Sequence, residues 1–213
     1  MADSIRKLWA RWRPLLGFTG SQDYWRGRYR RGGDSGVGSG GVAARHKADV
    51  VNAFVSANNI RSIVEFGCGD GRQLELARYP QYHGYDISVD AVDACRRAFS
   101  NDASKRFSLV AEYDGSRSDL ALSLDVLFHL VEDDVYEAYL TRLFDAAERF
   151  VVIHSSDVPQ DTRSLPHVRH RFVSRDIANR FTDFEPFHVT VPPGPFDQAS
   201  PPMTFLFYRR RPL

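Results

Sequence analysis

The segment SIVEFGCGDG, residues 62–71, limits the possible folds of this chain more than any other. A β-branched and aromatic run ending in glycine reads as a buried parallel strand. The G-x-G-x-G that follows turns tightly and lets a ligand approach the backbone. DGRQLELARY (70–79) is expected to leave that turn as a helix. The next strand, YHGYDI, ends near Asp86. An acid at the tip of a second parallel strand is placed to accept both hydroxyls of a ribose, although a helix cap is the plainer role for it. A glycine turn alone is a weak signal, and the strand, the turn and the distal acid strengthen one another.

The rest of the chain continues the alternation. Helices are predicted over 42–59, 89–99, 132–150 and 175–181, and strands at RFSLVA, DLALSLDV and RFVVIHSS. PFHVTV and MTFLFYRR then alternate as half-exposed strands around a proline-rich loop. Strands interleaved with helices, followed by two strands with no long helix between them, give an α/β domain whose mostly parallel sheet ends in an antiparallel hairpin. That domain spans 42–213. Residues 1–41 form an arm: a basic amphipathic helix over 3–16, then DYWRGRY, then the glycine run GGDSGVGSGG (32–41). The run follows no strand, so it is not a phosphate loop. It reads as a lid that folds over the cofactor once Tyr24 and Trp25 pack down. The arm packs on its own domain or on a second subunit, which would make a homodimer.

A net charge of +1 gives no field to draw the chain onto nucleic acid, and no motif reads bases. Cys68 and Cys95, the only cysteines, lack metal or disulfide spacing. With no apolar run long enough to span or insert stably in a membrane, the sequence reads as cytoplasmic.

Two cofactor classes compete for the glycine turn. A dinucleotide site needs a third glycine where Arg72 stands, and Glu65 would repel a pyrophosphate. Glu65 suits a cationic ligand instead, the amino group and sulfonium of S-adenosylmethionine. EFGCGDG, Asp86 and SLDVLFHL together resemble class I S-adenosylmethionine-dependent methyltransferases over about residues 42–213. DYWRGRY, the glycine run, DLALSLDVLFHLVEDDVYEAYL and HVRHRF narrow the resemblance to bacterial sugar O-methyltransferases associated with polysaccharide. It implies a Rossmann-like seven-stranded sheet with an antiparallel last strand. It also implies cofactor contacts from Tyr24, Trp25, Glu65, Gly67, Gly69, Asp86, Ile87, Tyr113 and Asp125.

The expected reaction is methylation of a sugar or glycan hydroxyl. Methylation of a small amine, or a catalytically inactive cofactor-binding module, are the alternatives. A hydroxyl needs a base or a metal to take its proton. Strand ends deliver Asp125, His154 and Asp157, with His129 opening the next helix. His154 is the first choice of base and His129 the second, with His170 (and His167) closing the site. Asp125 and Asp157 resemble the acidic Mg²⁺ ligands of catechol-type O-methyltransferases.

Overall fold

A computed structural model of the chain describes residues 18–159, 162–190 and 201–212. The helix expected over 3–16 lies outside them. Five α-helices are described: α1 (Ser21–Arg30), α2 (Gly41–Ala57), α3 (Val89–Ala98), α4 (Asp133–Asp145) and α5 (Val173–Arg180). The strands are β1 (Ser62–Phe66), β2 (Gln81–Asp86), β3 (Lys105–Leu109), β4 (Ser118–Leu124), β5 (Ala147–Ser156), β6 (Thr162–Leu165), β7 (Val168–His170), β8 (Phe184–Thr190) and β9 (Met203–Arg210).

Seven of the strands form one sheet in the order β3-β2-β1-β4-β5-β9-β8. The first five pair in parallel, and β9 runs antiparallel between β5 and β8. This is the expected mostly parallel sheet with its terminal hairpin. Each face is buried, which is why β1, β4 and β5 are mostly apolar at their centres. One face packs Tyr139, Leu140, Leu143 and Phe144 of α4 and Ile177 of α5. The other packs Val51, Phe54 and Val55 of α2 and Val92 and Cys95 of α3. Leu140 and Leu143 are fully buried, and each contributes roughly 1.5–3 kcal/mol of hydrophobic stabilisation.

Several local expectations are corrected. DGRQLELARY forms only a short 3-10 turn at Leu74–Leu76, because its link to β2 is short and Pro80 follows at once. The helix expected over 132–150 stops at Asp145, and the AERF that continues its periodicity begins β5 instead. HVRHR, for which no strand is predicted, lies mostly in the small β6–β7 hairpin. DYWRGRY lies within α1.

Candidate active site

The carboxyl ends of β1, β2 and β4 surround a cavity of about 370 Å³. Its floor is the glycine turn. Gly67 and Gly69 have φ of 81° and 59°, a left-handed backbone that favours glycine. A Cβ on Gly67 would stand 2.5 Å from the Val126 side chain, and one on Gly69 would run into the Ser35 hydroxyl. Glu65, Asp86 and Asp125 line the cavity, as do the apolar side chains of Ile87, Leu109 and Val110.

Each of these acids has a defined state. Glu65 accepts from the Tyr82 hydroxyl at 2.6 Å. Burial pushes its carboxyl up to about 7. Asp86 accepts from the Gly69 and Ser88 backbone N–H groups at 3.0 and 2.9 Å, and burial raises its pKa. The helix cap itself is Ser88, whose hydroxyl accepts from Ala91 N. Asp86 therefore braces the glycine turn while facing the cavity. Asp125 sits just past β4 at φ 60°. One of its oxygens takes Lys47 and the other takes His154 Nδ1, the latter at 2.5 Å. Burial alone would push the Asp125 carboxyl up, but His154 and Lys47 bring it down to about 2.

Lys47 is one of the cavity residues that sequence reading missed. It is 1% exposed and lines the cavity from α2. Its position was legible, because a lysine interrupts the buried stripe of Ala44, Ala48, Val51 and Val55. Tyr29, Ser35 and Gln73, which also line the cavity, were likewise not anticipated.

The glycine run lies on this floor. Ser35 bonds Asp70 of the turn, and Asp34 pairs with Arg28 and Arg72. A Cβ on Gly38 would sit 2.5 Å from Asp125 Oδ2. α1 covers the cavity with Ser21, Gln22, Trp25 and Tyr29. It is fastened by Ser21, whose N–H and hydroxyl both donate to Glu132 and whose Oγ accepts from Val131 N.

Among the expected bases, His129 faces the cavity. Its Nδ1 lies 3.1 Å from the His167 carbonyl oxygen. A carbonyl only accepts, so Nδ1 carries the hydrogen and Nε2 the lone pair. Burial lowers the His129 pKa to about 4, which keeps the ring neutral near pH 7. Trp25 packs edge-on against it at 4.8 Å, and Tyr24 stacks on His167 at 4.2 Å. Arg171 steadies the same turn by donating to the carbonyls of Leu130 and Val131.

Other expected residues stand elsewhere. His154 is not among the residues lining the cavity; it lies behind Asp125 with its ring 4.5 Å from Phe205, so it orients that acid. His170 is buried against the Ser156 hydroxyl at 2.8 Å. Tyr24 touches His167 without lining the cavity, and Tyr113 packs on Phe66 and Tyr85, leaving Leu109 and Val110 on the lining. Asp157 accepts from Ser174 N at 3.0 Å near the start of α5, away from Asp125. With Asp125 engaged by Lys47 and His154, the pair expected to bind Mg²⁺ does not form a hard-cation site. No group of three or more His, Cys, Asp or Glu side chains among the described residues is arranged to hold a metal. No described helix is long and apolar enough to cross a membrane.

No family model matches the chain, and no curated protein matches it. Solved structures do. The magnesium protoporphyrin IX methyltransferase ChlM of Synechocystis PCC 6803, with bound SAH, superposes with a TM-score of 0.65 at 18% identity, over 89% of this chain and 98% of that one. The N-methyltransferase NodS of Bradyrhizobium japonicum WM9, also with SAH, gives 0.68 at 10% identity, over 90% and 99%. The methyltransferase domain of bacterial CtHen1 gives 0.59 at 18%, over 78% and 97%. Likeness at these identities speaks to architecture, and together with the strand order it establishes that the chain has the Rossmann-like fold of class I S-adenosylmethionine-dependent methyltransferases.

Proposed function

We propose that the chain is an S-adenosylmethionine-dependent O-methyltransferase acting on a sugar or glycan hydroxyl. The cofactor reading is supported by the chemistry of the cavity. Gly67 and Gly69 hold the left-handed turn that lines the cavity, Glu65 and Asp125 suit a cationic amino-acid end, Asp86 suits a ribose, and Ile87 and Leu109 suit a flat apolar base. When bound, the cofactor supplies a methyl group on a sulfonium, open to attack by a nucleophile.

The neighbours are named for different chemistry, a magnesium porphyrin for ChlM and a nitrogen for NodS, so the acceptor class rests on this cavity. The observation that carries it is His129, a neutral ring on the wall with its lone pair on Nε2. With a pKa of about 4 this nitrogen is a weak base, so it takes the proton in step with methyl transfer, as the attacking oxygen becomes strongly acidic. The three carboxylates that line the cavity, Glu65, Asp86 and Asp125, are assigned to the cofactor in this reading, which leaves Ser21, Gln22, Trp25 and His129 for the acceptor. Aromatic faces beside hydroxyl and amide groups suit a sugar ring.

The test is release of S-adenosylhomocysteine against a panel of mono- and oligosaccharides, with amines included and with EDTA in parallel. Turnover on a saccharide is expected. His129→Gln should lower kcat by roughly 10²–10⁴-fold with S-adenosylhomocysteine affinity unchanged. Turnover confined to amines would replace this reading with N-methylation. Tight cofactor binding with no turnover on any acceptor would favour an inactive module.

A further inference from the structure

We infer that Tyr24 and His167 are positioning residues that set the tautomer of His129, so that its Nε2 lone pair is presented only when α1 lies on its domain. The inference rests on the reading of His129 as the base. Three segments far apart in the sequence meet at this ring. His129 follows β4, His167 stands in the turn between β6 and β7, and Tyr24 belongs to α1. His129 Nδ1 donates to the His167 carbonyl oxygen at 3.1 Å. The Tyr24 ring stacks on the His167 ring at 4.2 Å and 13°. The His167 ring in turn lies nearly parallel to that of His129, at 5.7 Å and 12°.

The His167 carbonyl decides which nitrogen of His129 carries the hydrogen. A neutral imidazole in water exchanges between two tautomers and favours the hydrogen on Nε2, the form with no lone pair there to take a proton. A carbonyl held against Nδ1 reverses that preference, because it only accepts. The carbonyl must therefore be kept in place. No strand of the main sheet does so: among the described residues β6 and β7 pair only with each other, and a lone two-stranded hairpin is marginal in water. Its β7 side is anchored, since Arg169 and Arg171 donate to the Val131 carbonyl. The turn that carries His167 is covered by Tyr24.

α1 thereby couples the base to an occupied cavity. Beside Tyr24, Trp25 packs edge-on against His129 at 4.8 Å and lines the cavity with Ser21, Gln22 and Tyr29 of the same helix. Glycines flank α1 at both ends, Gly20 at φ 145° and Gly32 at φ 77°, so the helix can leave and return as a unit. A ligand that fills the cavity gains the contacts of α1 only in the docked state. Binding therefore holds Tyr24 on His167 and readies the base.

The experiment reads the tautomer directly, by long-range proton–nitrogen correlation of the histidine rings in labelled protein with S-adenosylhomocysteine bound. Of the seven histidines, His129 is identified by the signals missing from His129→Gln. Wild type should show a protonated Nδ1 and an unprotonated Nε2. In Tyr24→Leu both nitrogens should shift toward the averaged values of a tautomer mixture. Its kcat, on whichever saccharide of the panel turns over, should fall roughly tenfold or more, following the lost fraction of the competent form. Acceptor KM and S-adenosylhomocysteine affinity should change less than about threefold, which also reports that the variant is folded. Tyr24→Phe keeps the ring and should retain wild-type spectra and kcat. His167→Ala removes the stack and should reproduce Tyr24→Leu, and the two losses should not add. A His129 spectrum that neither Tyr24→Leu nor His167→Ala changes would overturn the inference and leave the base reading standing. So would a Tyr24→Phe variant as defective as Tyr24→Leu. Wild-type turnover in His129→Gln would overturn the base reading, and this inference with it.

Discussion

The Ser35 hydroxyl donates to Asp70 Oδ1 at 2.7 Å, and the Asp70 backbone N–H donates back to the same hydroxyl oxygen at 3.1 Å. This reciprocal pair joins the glycine run to the glycine turn, two segments that the sequence places far apart. Tyr29 shares the Ser35 hydroxyl at 2.9 Å. Ser35→Ala removes all three bonds at one atom. Each is worth about 1 kcal/mol net, so S-adenosylhomocysteine affinity should fall several-fold. The loss should be shared by 5′-methylthioadenosine, since the defect lies in the floor of the site. Calorimetric titration of both ligands checks this, and unchanged affinity would detach the glycine run from the site.

Gly69→Ala should be more damaging. The residue has φ 59° and its missing Cβ would meet the Ser35 hydroxyl. The left-handed conformation alone costs an alanine about 1–2 kcal/mol, and relief of the clash must push the glycine run off the turn. A lower thermal midpoint together with weaker cofactor binding is expected. A variant with wild-type midpoint and affinity would show that the turn tolerates a side chain.

Glu65 gives the site a pH dependence. Burial raises its folded pKa to about 7, against about 4.3 for an unperturbed glutamate. Between those values the folded state holds a proton that the unfolded state has lost. This group's contribution to stability is therefore complete below about pH 4 and lost as pH rises through about 7. A cationic ligand favours the ionised form and so expels the proton. Affinity for S-adenosylmethionine should rise between about pH 6 and pH 8, with proton release visible as a dependence of binding heat on the buffer's ionisation enthalpy. Glu65→Gln should flatten this profile. A flat profile in wild type would place Glu65 outside the cofactor's reach.

The sequence made the sheet legible because both of its faces are buried. β1, β4 and β5 are centred on apolar segments buried on both faces, and their alternation with helices sets the parallel order. Glu65, Gly67, Gly69, Asp86, Ile87 and Asp125 were legible as well, because strand ends and a glycine turn mark the pocket directly. The hairpin of β6 and β7 was not, since HVRHR lacks the alternation of a half-buried strand. The roles of the histidines were not legible either. Sequence places His154 at a strand end, but only the fold shows that it points at Asp125 while His129 turns to the cavity. Tyr113, expected beside the adenine, packs against Phe66 and Tyr85 at the margin of the core and off the cavity lining, a placement that only the fold shows.

In the proposed function, this cavity binds S-adenosylmethionine through Asp86 and the glycine turn. The most direct test of this claim is calorimetric titration of S-adenosylhomocysteine into wild type and Asp86→Ala, with thermal midpoints recorded for both. One site per chain is expected in wild type. Asp86→Ala should bind more weakly by roughly 1–3 kcal/mol, the loss of a charged acceptor. Its midpoint should also fall, because Gly69 and Ser88 lose their partner. A wild-type chain that gives no binding heat, or an Asp86→Ala variant that binds as tightly as wild type, would contradict the claim.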